Sequence, residues 1–166
     1  MQTSFTENQL KDKDNRTSET IIRKCVHCGM CNATCPTYGI NGEELEGPRG
    51  RIYLIKDMLE NKKPATKQIA KHIDSCLSCY SCMTTCPSGV NYMHLIDHGR
   101  NYVEETYKRP FFDRLFRNIL SFVLPRPKVF LLMAWSSKII KPFSFLFPKF
   151  LKNALSSVSY THLTLP

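Results

Sequence analysis

No stretch of the 166-residue chain approaches the ~20 consecutive apolar residues that a helix needs to cross a bilayer. The best run, residues 129–135, is far shorter, so no membrane span is expected. A nucleotide-cradling loop is also missing. GPRGR at 47–51 has two glycines but no strand–G-x-G-x-x-G–helix setting, and it reads as a turn into a helix whose Arg49 and Arg51 neutralise nearby negative charge. No nucleophile–base pair is recognisable, so neither a flavin site nor a substrate site is expected in the chain itself. The N-terminus, MQTSFTENQLKDKDNRTSET, has no apolar centre and alternates charge, so no secretory signal is expected. Acids are almost absent from the last third. Residues 108–166 hold ten Lys/Arg against Asp113 alone, whereas residues 1–107 hold 13 of each sign. The whole net charge of +9 therefore sits in the C-terminal third, with nine of the ten Phe residues.

What the chain does have is cysteine, in one place. All eight fall between Cys25 and Cys86. Without a secretory signal, clustered thiols point to metal or redox chemistry in a reducing compartment rather than to disulfides. They form an internal repeat: Cys25, Cys28, Cys31, Cys35 and Pro36 match Cys76, Cys79, Cys82, Cys86 and Pro87 in spacing. Each block reads C-x2-C-x2-C-x3-C-P. A cubane cluster needs one thiolate on each of four irons, and two-residue spacers let three thiolates of one turning loop reach three of them. The extra spacer residue and the proline turn the fourth cysteine away, and in two-cluster proteins with this motif it serves the other cluster. Two 4Fe–4S clusters are therefore expected, one held by Cys25, Cys28, Cys31 and Cys86, the other by Cys76, Cys79, Cys82 and Cys35. A structural zinc site would need only two C-x2-C pairs and leaves the third cysteine, the Cys-Pro and the duplication without a reason. His27 lies inside the first block, but with four thiols per cluster it is expected to be a neighbour, not a ligand. His72, His94 and His98 are scattered and carry no motif.

The segments between and around the blocks read as helical. A short helix over residues 18–24, capped by Ser18, would lead into the first block, after a flexible segment over residues 1–18. Residues 51–61 place Ile52, Ile55 and Leu59 on one face, with Leu54 and Met58 beside them. Residues 67–75 repeat this weakly through Ile69 and Ile73, and residues 92–107 align Ile96, Val103 and Tyr107. Beyond Lys108, Phe111, Phe112, Leu115, Phe116, Ile119 and Leu120 recur at helical spacing until Pro125 and Pro127 interrupt, and Pro142 and Pro148 break the apolar stretch beyond. The expected fold is mainly α: an α-helical ferredoxin-type domain over residues 19–108 with two cluster-binding loops, followed by amphipathic helices in a basic, Phe-rich segment over 109–157.

The run CVHCGMCNATCPTYGINGEELEGPRGRIYLIK, then HIDSCLSCYSCMTTCPSGVNYMHLIDHGR, then KRPFFDRL and VLPRP, resembles the iron–sulfur subunit family of bacterial glycolate oxidase (glycolate dehydrogenase) across residues 20–135. The resemblance implies a non-catalytic electron-transfer subunit of an oxidoreductase. Flavin-bearing partner subunits would oxidise glycolate to glyoxylate, and this subunit would pass the electrons towards the quinone pool, in the cytoplasm at the inner face of the membrane. A lactate or glycerol-3-phosphate dehydrogenase partner would use the same relay. Family members continue into Cys-Cys-Gly repeats that are not in this sequence. The last residues, VSYTHLTLP at 158–166, resemble translated sequencing-adaptor read-through, so a truncated chain is expected whose natural part stops near Ser156 or Ser157. The basic Phe-rich segment would then pack against the missing C-terminal region, with docking to an anionic membrane as the alternative.

Overall fold

The structure, a computed structural model, describes residues 1–140. The chain divides into two compact units, Met1–Lys108 and Arg109–Pro166. The described residues form helices and no strand, so the fold is mainly α.

Helix α1 spans Lys13–Lys24 and so begins well before Ser18, where the sequence suggested a start. Asp12 caps it by accepting the Asp14 N–H at 2.9 Å, satisfying one of the donors that a first turn leaves open. Ser18, expected to be the cap, lies in mid-helix with no exposure, its Oγ 2.6 Å from His98 Nδ1. The early turns carry almost no apolar residues, so their helicity leaves no periodic trace. Upstream, the buried Gln9 side chain donates to the carbonyls of Leu59 and Glu60 at 2.8 and 2.9 Å. That amide fastens the lead-in to residues 59 and 60.

The first cysteine block follows α1 and leads into α2, Pro36–Asn41. Helix α3, Pro48–Asn61, starts with Gly47 as cap and Pro48 in its first turn, where a missing N–H costs nothing. It ends where Lys62 turns left-handed. Helix α4, Lys67–Asp74, is capped by Thr66, whose Oγ1 accepts the Ile69 N–H at 3.3 Å. The second block then carries the short α5, Ser81–Thr84, and α6, Tyr92–Thr106, closes the unit. Helix α6 packs on α1, α3 and α4. The core is the meeting of Ile22, Ile55, Ile73, Leu95, Ile96 and Val103, none of which is exposed. Burying each such side chain contributes ~1.5–3 kcal/mol.

Two close approaches fix where α3 lies. At Gly99 of α6 an added Cβ would meet Ile55 Cδ1 at 2.8 Å. At Gly50 it would meet the Glu44 carbonyl oxygen at 2.2 Å, and that neighbour is backbone with no rotamer to yield. Gly50→Ala is expected to destabilise the unit by ~1–3 kcal/mol through overpacking. The thermal unfolding midpoint checks this; an unchanged midpoint would mean that α3 and the turn before it are not in such close contact.

In the second unit, α7 spans Phe111–Val123 and α8 spans Pro127–Ile140, separated where the two prolines are expected to interrupt. On α7, Phe111, Phe112, Phe116 and Phe122 are all more than half exposed. The Arg126 guanidinium stacks over the Phe122 ring at 4.0 Å. Among the described residues no helix is long and apolar enough to cross a membrane. The expected breaks at Pro142 and Pro148 and the adaptor-like tail lie outside the described residues.

Candidate metal centre

Both cysteine blocks adopt the same backbone course. In the first, His27 and Gly29 have φ of +59° and +86°; in the second, Ser78 and Tyr80 have +51° and +57°. These are equivalent positions, two and four residues after the first cysteine of each block. Left-handed residues alternating with ordinary ones turn successive amides toward a common concavity, an arrangement that suits anionic iron–sulfur groups. For His27, Ser78 and Tyr80 this conformation costs about 1–3 kcal/mol each, so it persists only where the surroundings impose it. At Gly29 an added Cβ would also stand 3.0 Å from Arg49 Nη1.

The blocks face each other. Thr34 and Thr85, again equivalent positions, bring their Oγ1 atoms to 3.1 Å, as two units related by a local two-fold would. Two cavities lie in the same unit. One is lined by Cys25, Cys28, Cys31, Cys82 and Cys86, the other by Cys35, Cys76, Cys79 and Cys82. Pro48, Cys82 and Tyr92 border both. All eight cysteines are free thiols, Cys25 and Cys82 buried, Cys28 and Cys79 exposed. Burial and the neighbouring Cys25, Cys28 and Cys86 push the Cys31 thiol up to about 11. Burial and the Cys31, Cys76, Cys35 and Cys79 thiols push Cys82 up to about 12. The Ser81 N–H and hydroxyl hold Cys79 below the ordinary thiol range. Buried, mutually repelling thiols of this kind give up their protons when a metal replaces them. Four soft donors per concavity fit an iron–sulfur cluster; both cavities meet that requirement.

Behind the second cavity lies a buried polar network that local sequence does not reveal. Arg51, only 1% exposed, pairs with Glu46 at 2.9 Å and donates to the His72 carbonyl at 2.7 Å, to Ser75 Oγ at 3.0 Å and to Thr37 Oγ1 at 3.1 Å. Its Nη1 reaches Cys35 Sγ at 3.9 Å. Burial alone would raise the Glu46 carboxyl, but hydrogen bonds from Ser75 and His72 and the Arg51 charge outweigh it and hold the group below its ordinary value. His72 completes the network, Nδ1 lying 2.8 Å from Glu46 Oε1. The sequence points to Arg51 as a neutralising charge, but nothing in it singles out Glu46, Ser75 or Thr37, and His72 looks incidental there. Tyr92 gives no signal either: an aromatic at a helix start reads as core, yet its hydroxyl donates to Cys76 Sγ at 3.7 Å. Arg100 clasps the same loop, donating to the Cys76 carbonyl and to Ser78 Oγ, each at 2.6 Å. His27 sits on the wall of the first cavity, edge-on to Tyr53.

The family model described as a 4Fe-4S dicluster domain matches residues 21–90. The glycolate oxidase iron–sulfur subunit of Escherichia coli (strain K12) is 48% identical over 143 residues, covering 86% of this chain and 35% of that protein. The probable glycolate oxidase iron–sulfur subunit of Bacillus subtilis (strain 168) is 32% identical over 117 residues, 68% of this chain and 26% of that one. The succinate dehydrogenase iron–sulfur subunit of Paracoccus denitrificans is 29% identical over 99 residues, 52% and 38% of the two chains. The chain thus spans 35% and 26% of the lengths of the first two relatives. No solved structure matches it.

Proposed function

We propose that the protein relays electrons through two 4Fe–4S clusters, a reading supported by the match of residues 21–90 to the 4Fe-4S dicluster domain model and by the likeness of the chain to glycolate oxidase iron–sulfur subunits. Cys25, Cys28, Cys31 and Cys86 hold one, and Cys76, Cys79, Cys82 and Cys35 hold the other. The observation that carries this reading is the division of the thiols between two adjoining cavities, each walled by three cysteines of one block and by the last cysteine of the other. Cys82 reaches both walls, and its spacing assigns it to the second set.

When bound, such clusters supply one-electron carriers. The chain's residues hold them side by side, and buried Pro48 and Tyr92 keep water from the wall between them. Cys28 and Cys79, at equivalent positions, come to the surface beside Val26 and Leu77, which are 66% and 67% exposed. These two faces serve as entry and exit for electrons. Flavin-bearing subunits that oxidise glycolate to glyoxylate are the electron source, and the quinone pool at the inner face of the cell membrane is the sink. The exposed aromatic face of α7 contacts protein in the assembled complex.

Anaerobic purification of the chain, with iron, sulfide and zinc analysis and EPR after dithionite reduction, tests the cofactor. About eight irons per chain with interacting reduced cubanes are expected; stoichiometric zinc without sulfide would overturn the reading. Reconstitution with the flavin subunits tests the partner. Bleaching of the clusters by glycolate is expected, whereas bleaching by lactate or glycerol 3-phosphate alone would reassign it. Binding of the chain to anionic vesicles but not to those subunits would assign α7 to a membrane.

A further inference from the structure

The two cavities share a backbone course, but they do not share surroundings. The sulfurs of the second set accept hydrogen bonds from side chains: Tyr92 Oη to Cys76 at 3.7 Å and Arg51 Nη1 to Cys35 at 3.9 Å, with the Ser81 hydroxyl bonded to Cys79. The bonds accepted by the first set come from the backbone, from the Val90 N–H to Cys86 at 3.5 Å and from the Cys31 N–H to its own sulfur. Arg49 stands on the wall of the first cavity and is paired with Glu44 as Arg51 is with Glu46, but it is one-third exposed, so solvent screens it. Tyr92 and Arg51 are 4% and 1% exposed, so solvent does little to screen them.

A donor aimed at a ligand sulfur stabilises whichever state carries more negative charge on that sulfur, which is the reduced one. We infer that Tyr92 and Arg51 set the reduction potential of the second site, Cys35, Cys76, Cys79 and Cys82, above that of the first, so that an electron delivered to the chain comes to rest at the second site. The transfer between sites is a one-electron exchange: the first is oxidised as the second is reduced, with the flavin partner as the original donor. Direction in the relay then comes from these side chains, since the cysteine spacing is the same in both blocks. The inference rests on the two-cluster assignment proposed above.

The test is an EPR-monitored potentiometric titration of the cluster-loaded chain, with and without Tyr92→Phe. This substitution keeps the ring that fills the wall and removes only the hydroxyl. The unaltered chain is expected to show two one-electron waves. In Tyr92→Phe the upper wave should fall by about tenfold in its equilibrium constant, about 59 mV for one electron, while the lower wave stays in place. Ser81→Ala, in the loop beside Cys79, should move the same wave in the same direction. A single wave with four irons per chain would overturn the two-cluster assignment and this inference with it. Two waves in which Tyr92→Phe moves the lower one, both equally, or neither would overturn the inference and leave the assignment standing.

Discussion

Cys35→Ser is expected to remove the cluster built mainly by the second block, although Cys35 belongs to the first. A serine hydroxyl is a harder and less readily ionised donor than a thiol, and it replaces one of the four soft ligands a cubane requires. Cys35 Sγ is already committed to the second cavity, beside Thr37 Oγ1 at 3.2 Å and within reach of Arg51. Iron should fall by about half, from about eight to about four per chain, and the remaining EPR signal should be that of an isolated cubane without the splitting two coupled centres produce. Cys86→Ser should do the converse. In a Cys35→Ser chain, a further Cys79→Ser change should then cost no more iron, whereas Cys28→Ser should remove the remainder. The opposite pattern would mean that each block ligates its own cluster.

The largest effect on folding is expected at Arg51. Arg51→Met keeps much of the side-chain volume but leaves the Glu46 carboxylate, 2% exposed, facing a lost partner. Breaking a buried pair by removing one member costs about 3–5 kcal/mol, mostly because the remaining charge stays desolvated. Against a typical domain stability of about 5–15 kcal/mol this is enough to lower the thermal midpoint steeply. Arg51→Met with Glu46→Gln should recover part of the loss, since the two sites are in direct contact and their effects do not add. Denaturant unfolding of the three variants beside the parent measures the coupling. If the double variant is as unstable as the sum of the single ones, the network's stability does not reside in this pair.

The parts of the molecule legible in its sequence are those with a short period or a rigid chemical requirement. Helices α3, α4 and α6 can be read because Ile52, Ile55 and Leu59, or Ile96 and Val103, mark one face directly. The thiols can be read because no other residue supplies soft anionic ligands at that spacing. The start of α1 cannot, since its first two turns are polar and only an Asp12 cap betrays them. Nor can the network behind the second cavity. Glu46 comes from a turn, Arg51 from α3, His72 from α4 and Thr37 from α2. Each looks ordinary in its own segment, and their burial exists only once four elements converge. Tyr92 escapes for a similar reason: its ring does what core aromatics do, and only its hydroxyl meets a sulfur.

The contact between Thr34 and Thr85 bears on the order in which the molecule can be made. It joins equivalent points of two blocks separated by α2, α3 and α4, and the wall of the first cavity includes Cys82, Cys86, Val90 and Tyr92. While the ribosome has released only the first block, that cavity has no far side, and three thiols stand open to water and oxidants. Cofactor delivery at that moment would meet an unfinished vessel. A full set of ligands for the first site, as proposed above, therefore exists only once Cys86 has emerged.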